Sequence, residues 1–237
     1  MMMNGLMRPY FLLFSAALCC APANARLFGN SCTKIETPDD FDVDKYIEKS
    51  WYIQRQQTNT YQPEDDLYCI VATYSKEGDR QWGRRAITVR NYANSGAVNG
   101  PSPNGDFKLC ATPRFRFRKP AELRVAPCYV PASLGGDYWV VAFDPDYEWA
   151  IVTAGQPDQE GACSEDSSLC TLREDCKIGF LPCVGNGQGL WFFTRAQSPD
   201  PSTIDAMEAK ALELGICTAN MKDVVHEGCN YDGATLK

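Results

Sequence analysis

The sequence predicts an all-β fold, an eight-stranded antiparallel up-and-down barrel with one C-terminal α-helix packed outside. Three observations carry this expectation. Short runs rich in Val, Ile, Tyr, Phe and Trp recur at intervals of roughly ten residues, with turn residues between them. No Gly-rich phosphate loop and no alternation of strand and helix interrupts the series. A sheet of about eight antiparallel strands has two exposed edges, and curling it into a barrel removes both.

The first residues stand apart from this texture. Arg8 provides a positive flank, Tyr10 to Cys20 form an apolar stretch, and Ala23-Asn-Ala25 offers a small-x-small cleavage site. We read 1–25 as a signal peptide and 26–237 as one domain. The apolar stretch is too short to span a bilayer and lacks a stop-transfer flank. No later run approaches that length, so no stable membrane insertion is expected.

The barrel is expected to start at Trp51. A turn of helix within Phe41-Asp-Val-Asp-Lys-Tyr46 runs into a strand, and the indole sits at the junction. A large ring there can plug the end of a sheet that closes around it. The candidate strands are Trp51–Gln57, Tyr68–Ser75, Ala86–Tyr92, Phe107–Ala111, Arg114–Arg118, Glu122–Ala126, Tyr138–Asp144, Trp149–Thr153 and Leu190–Arg195. Asn94 to Asp106 is dense in Gly, Pro, Asn and Ser and reads as a turn. Lys119-Pro120 marks a hairpin apex with Cys110 and Cys128 equidistant from Lys119, so the two should face one another as a disulfide.

From about 155 to 189 a Cys-rich insertion follows, with Cys163, Cys170, Cys176 and Cys183 available to staple it. The convincing helix comes next. Ser202 caps it, Asp205 completes a capping-box-like pattern, and Gly215 stops it after Leu214. Ile204, Met207, Ala211 and Leu214 share one face, which should lie on the outside of the sheet.

Period-two alternation sorts side chains between lumen and exterior. With Trp51 inward, Ile53 and Arg55 follow; with Tyr74 inward, Ala72 and Ile70 follow. Trp191, Phe193 and Arg195 share one face of the last strand. A guanidinium on the Trp face can lie flat on an indole and donate to surrounding carbonyls, closing the barrel floor.

Charge and composition exclude several functions. The net charge of -7 argues against nucleic acid and against an anionic membrane surface. Beyond the leader, ten cysteines remain with no CxxC pair, which favours disulfides over zinc or redox chemistry. The single histidine, His226, lies in the tail far from any nucleophile, and no GxSxG occurs, so no catalytic residue is assigned. The carboxylates of Glu64-Asp-Asp66, Asp144/Asp146 and Glu165-Asp166 fall in loops without metal-ligand spacing. We expect no metal, no cofactor and no enzyme.

Read in order, these segments resemble the lipocalin family, and within it apolipoprotein D and the chloroplastic lipocalins of plants. The resemblance rests on Ser31-Cys32, Phe41 to Tyr46 and Trp51-Tyr52, then on Cys69-Ile-Val-Ala-Thr-Tyr74. Pro120 to Val125, Tyr138-Trp139, Asp146-Tyr147, Ala150-Ile-Val152, Trp191-Phe-Phe-Thr-Arg195 and Cys229 continue it. It covers roughly Cys32 to Cys229, its specificity lying in order and spacing rather than in any one motif. It implies that Trp51 and Arg195 pair as the floor, that Cys69 pairs with Cys229, and that Cys32 pairs with Cys163. Tyr74 and Trp191 become lumen-lining aromatics, and Trp139, Ile53 and Phe193 complete the expected ligand-binding set.

The departures are a Lys49 where the family has Gly, an inserted Pro145, and the long Cys-rich insertion. The pairing of Cys170, Cys176, Cys183 and Cys217 stays open. The resemblance implies a secreted protein that binds or transports a small hydrophobic ligand: a fatty acid, sterol, retinoid or carotenoid. Likeness to chloroplastic lipocalins leaves onward import into a plastid open, and the Cys-rich insertion offers a surface for a protein partner. Two rivals are an enzyme similar to violaxanthin de-epoxidase, acting on a carotenoid or lipid epoxide, and an interaction protein with a filled barrel.

Overall fold

The structure is a computed structural model. It describes residues 34–156, 177–178, 181–182 and 189–237, except 60, 77, 79, 82, 104–106, 115–118, 217 and 219–220. The leader read over 1–25 lies outside the described residues. So do Cys32, Cys163, Cys170, Cys176, Cys183 and Cys217, most of the insertion, and residues 115–118 of one expected strand.

Eight strands close the barrel: β1 (Trp51–Gln57), β2 (Tyr68–Ser75), β3 (Ile87–Asn94), β4 (Lys108–Pro113), β5 (Glu122–Pro127), β6 (Gly136–Phe143), β7 (Trp149–Thr153) and β8 (Leu190–Thr194). Each pairs antiparallel with the next, and β8 returns to β1 through Tyr52↔Thr194 to Gln56↔Trp191. The β-branched and aromatic content of these runs suits a wall buried on at least one face. A ninth strand, β9 (Met221–Asp223), adds to the far half of β1. Two short ladders lie outside the barrel sheet, Arg80–Gln81 with Arg84–Arg85 and Lys177–Ile178 with Leu181–Pro182.

The β4–β5 hairpin carries the Cys110–Cys128 bond, with Cα atoms 4.9 Å apart. The ladder places Ala126, not Cys128, directly across from Cys110. The bond therefore joins diagonal neighbours on one face, because the hairpin turns one residue earlier than the Lys119 apex implies.

Two helices flank the barrel. The first, α1 (Val43–Tyr46), is one turn whose N-terminal amides of Asp44 and Lys45 donate to Asp42 Oδ1. The second, α2 (Pro201–Glu213), begins earlier than Ser202 suggests. Pro201 occupies its first position, where a missing N–H costs nothing, and Asp200 precedes it without a side-chain cap bond. Its end follows the expectation: Gly215 adopts φ +74°, its N–H reaches Leu212 O, and that of Ile216 reaches Ala211 O. Met207 and Ala211 are buried, with Ile204 and Leu214 half-buried beside them, against Ile151, Phe192 and Val141 on the outer wall.

The chain's final segment covers the outside of β1–β3. Cys69, Val71 and Tyr231 are buried together there, and Cys69 is bonded to Cys229 with Cα atoms 5.6 Å apart. His226 is the buried polar centre of this tail. Its Nε2–H donates to Ile53 O at 2.8 Å, which leaves Nδ1 to accept from the Tyr231 hydroxyl at 2.6 Å. It is a packing histidine, and burial pushes its pKa below the ordinary value.

Protonating His226 places a charge in a buried ring, a desolvation cost that favours the unfolded chain. Its contribution to stability is thus complete above about pH 6.5 and declines as pH falls below that value. Between pH 7.5 and 5.5 the melting temperature of the native protein is expected to fall further than that of His226→Asn. Thermal denaturation across this range checks it, and equal falls would remove the assigned role.

Candidate functional site

The site is built upward from the floor. The Arg195 guanidinium carbon lies 3.5 Å from the Trp51 ring centroid. Its nitrogens donate to five backbone carbonyls, Tyr147 O at 3.1 Å, Lys45 O and Tyr46 O each at 3.0 Å, Ser50 O at 3.3 Å, and Lys49 O. Two of these end the α1 turn, where exposed carbonyls gather negative potential. The indole N–H donates to Tyr46 O at 2.8 Å, so ring and cation grip the same turn. Burial lowers the Arg195 pKa, and the surrounding carbonyls offset that desolvation. Lys49, where the resemblance has glycine, contributes only its carbonyl to this fan and keeps negative φ.

Above the indole sit three tyrosines. Tyr46 from α1 packs against Trp51 with centroids 5.1 Å apart, and Tyr74 from β2 packs against Tyr46 at 5.5 Å. Tyr138 from β6 joins them through its hydroxyl, 2.5 Å from Tyr46 Oη and 2.8 Å from Tyr74 Oη. Burial raises all three pKa values, that of Tyr74 to about 12, so the phenols stay protonated at neutral pH. Tyr46 and Tyr138 are the site residues that sequence reasoning missed. Tyr138 was legible as the alternate of Trp139 on the same strand, whereas Tyr46 precedes the wall and its direction depends on the turn.

The expected lumen set divides. Ile53, Tyr74 and Phe193 belong to the inner cluster, and Trp191 packs on it half-buried. Trp139 does not. It faces outward with Val141, among residues packed beneath α2, and the Arg114 guanidinium lies 5.8 Å from its ring. The alternation along β6 sends Tyr138 and Val140 inward, so the neighbouring Trp must point away.

Arg55 is a second correction. An irregularity between Ile53 and Arg55 reverses the alternation of β1, as a bulge does. Arg55 therefore points outward to Glu208 of α2 and Asp223 of β9. Gln56 takes the inward place, directly across from Trp191, fully buried with its Oε1 unpartnered and its Nε2 3.2 Å from Gln62 Oε1.

Leu109, Val125, Tyr138 and Trp191 face inward and pack on the core, yet each keeps accessible surface. Tyr138 is half-buried, with its hydroxyl held between those of Tyr46 and Tyr74. Gly189 prepares the Trp191 wall: a side chain there would collide with the indole. Glu122, the one carboxylate of the described wall that is buried, faces outward toward the Thr37 hydroxyl at 3.3 Å. Among the described residues, no three His, Cys, Asp or Glu side chains converge as a metal would require.

The floor makes two expectations. Trp51→Ala is expected to destabilise the protein by about 3–5 kcal/mol, from the lost ring and the cavity it leaves. Arg195→Lys should cost about 1–3 kcal/mol, because an ammonium cannot stack and reach the same carbonyls together. Urea denaturation followed by far-ultraviolet circular dichroism measures both, and an unchanged Trp51→Ala midpoint would remove the floor assignment.

No protein-family profile matches the chain, and no curated protein matches it in sequence. Solved structures match it in shape. Apocrustacyanin C2 superposes with a TM-score of 0.51 at 13% identity, over 86% of this chain and 97% of its own. Insecticyanin from the tobacco hornworm Manduca sexta superposes with a TM-score of 0.50 at 11% identity, over 84% of this chain and 87% of its own. At such identities the likeness speaks for the fold alone. With the strand order and closure described above, it establishes that the chain has the lipocalin fold, a closed eight-stranded antiparallel barrel with an added strand and a C-terminal helix.

Proposed function

We propose that this protein binds and carries a small hydrophobic ligand in the barrel lumen. The observation that carries this reading is the set of inward side chains, Leu109, Val125, Tyr138 and Trp191, that join the core and still keep accessible surface. Apolar burial drives such binding at ~25 cal/mol per Å² before the costs of association. Tyr138, half-buried on the inner face of β6, is the polar side chain best placed to orient a ligand. Fatty acids, sterols, retinoids and carotenoids are the candidate ligands.

The proposal includes secretion. Two disulfides, one within the β4–β5 hairpin and one fastening the C-terminal segment to β2, suit an oxidising compartment, and the N-terminal segment reads as a leader. The Cys69–Cys229 clamp and the Trp51–Arg195 floor support an apolipoprotein D-like assignment within the fold. The Cys-rich insertion is proposed as a protein-partner surface. We also propose that the protein is a carrier and not an enzyme. Acid-assisted epoxide opening needs a carboxyl group at the ligand, and Glu122 is on the outer face.

Titration with a panel of fatty acid, sterol, retinoid and carotenoid is expected to quench Trp fluorescence saturably for at least one class. Trp191→Ala should weaken that ligand about fivefold through lost aromatic contact. Gly189→Ala should act in the same direction by displacing the indole. Folded protein that quenches with no member of the panel would overturn the reading. Incubation with violaxanthin at acid pH with a reductant is expected to yield no de-epoxidised product, and its formation would favour the enzyme.

A further inference from the structure

The charge of this chain is unevenly placed. Residues 76–124 carry eleven Lys and Arg against four Asp and Glu, whereas the remainder carries twelve against twenty-six. A strongly acidic protein thus contains one basic stretch, and the fold gathers part of it on one face. Helix α2 covers the outer wall at β6–β8, and the terminal segment covers it at β1–β3. The outer face of β4 and β5 lies between these coverings.

A short hairpin rests against that face, Arg80–Gln81 paired with Arg84–Arg85. Gln81 is buried and anchors it. Its Nε2–H donates to Val130 O at 2.7 Å, and the Thr112 hydroxyl of β4 donates to its Oε1 at 2.7 Å. Alternation then turns Arg80 and Arg85 away from the wall, and both are exposed. They stand directly opposite one another in the ladder, where like charges repel. Arg80 reaches the Gly83 carbonyl at 3.2 Å. Among the described residues no carboxylate pairs with Arg80, with Arg85 or with the exposed Lys108 of β4. Arg124 of β5 sits across from Thr112 and shares the Asp137 carboxylate with Arg114. Glu122, the acid of β5, is buried and turned to Thr37.

Such a face calls for an anionic partner. A guanidinium offers paired donors that fit an oxyanion at two points. Opposed strand residues lie about 5 Å apart at Cβ, so the partner must carry its anions at close intervals. A flat anionic membrane would also bring its charge against the acidic remainder of the protein. A narrow, densely charged chain meets the basic strip alone.

We propose that the outer face of β4–β5, with Arg80, Arg85, Lys108 and Arg124, is a docking surface for a densely sulfated polysaccharide. The choice of a polysaccharide over nucleic acid rests on the secretion proposed above. The site lies outside the barrel and is independent of any ligand in the lumen.

Heparin is the probe, titrated into the full folded protein at pH 7.5 in about 50 mM NaCl and followed by calorimetry. Saturable binding is expected, weakening at least about tenfold by about 200 mM NaCl. The double variant Arg80→Gln/Arg85→Gln should bind at least about tenfold more weakly at low salt and show a flatter salt dependence. Lys210→Gln/Lys222→Gln loses the same charge from α2 and β9 and should change binding less than about twofold. Removing two opposed charges should leave the melting temperature of the arginine variant unchanged or raised, which separates lost binding from lost fold. Lys108→Gln, on the wall and not the hairpin, is the second variant and should cost about threefold. Absence of saturable heparin binding overturns the inference, as does equal weakening in the two double variants. So does hyaluronan, with its sparser carboxylates, binding as tightly as heparin. Tighter binding of single-stranded DNA or of phosphatidylserine vesicles would make the partner a nucleic acid or a membrane and overturn the polysaccharide. The lipid panel is expected to read the same for the arginine variant as for the native protein, so failure here leaves the carrier reading standing.

Discussion

The barrel depends on one contact, the guanidinium of Arg195 laid on the indole of Trp51. Each partner solves the other's problem. A cation brought this far from water needs acceptors on its edge and a polarizable face above it. It finds carbonyls from the α1 turn, from Lys49 and Ser50 ahead of β1, and from the turn before β7. The first two stretches adjoin in sequence and the third lies far along the chain, and the planar fork of the arginine holds all of them in one place. The indole in turn gains a lid that a hydrocarbon could supply only without the hydrogen bonds. Replacing either residue alone leaves buried groups without partners, which is why the pair acts as a unit.

A closed floor determines what kind of chamber stands above it. The three tyrosine hydroxyls above it are held together, with Tyr138 Oη bonded to both Tyr46 and Tyr74. Toward the other end, Gln56 and Trp191 face each other across β1 and β8, and the buried amide oxygen of Gln56 has no partner. The barrel interior thus runs from a phenol cluster through aliphatic walls to an amide.

The exterior is held by different means. Helix α2 covers the outer faces of Ile151 and Phe192 with Met207 and Ala211, and the terminal segment covers β1–β3 with Tyr231 and the Cys69–Cys229 bond. Arg55 ties the two coverings together, reaching Glu208 on the helix and Asp223 on β9. The bulge that turns Arg55 outward also reshapes the interior, since it is what turns Gln56 inward.

Much of this was legible in the chain. The bounds of β1, β2 and β7, the Schellman end of α2 at Gly215, and the inner face containing Ile53, Tyr74 and Phe193 follow from local chemistry: β-branched runs, a glycine free to take positive φ, and period-two alternation. The stacking of Arg195 on Trp51 was also legible, because both residues end strands on the same side of the sheet. What local chemistry left open was decided between strands. Alternation states that Tyr138 and Trp139 point oppositely, but which of them is inside depends on pairing with β5 and β7. A bulge changes parity without any residue type announcing it, and so Arg55 left the lumen and Gln56 entered. The start of α2 moved to Pro201 because one residue's fixed φ outweighed a neighbouring cap. The tyrosine cluster needs three hydroxyls from three separate elements, and only closure of the barrel brings them within hydrogen-bond reach. The sequence by itself therefore determined the eight strands of the wall, though not the added β9, and how the wall is sealed at its base. The tertiary structure decided which side chains face the barrel interior, because that choice is made by register and closure, which no single segment contains.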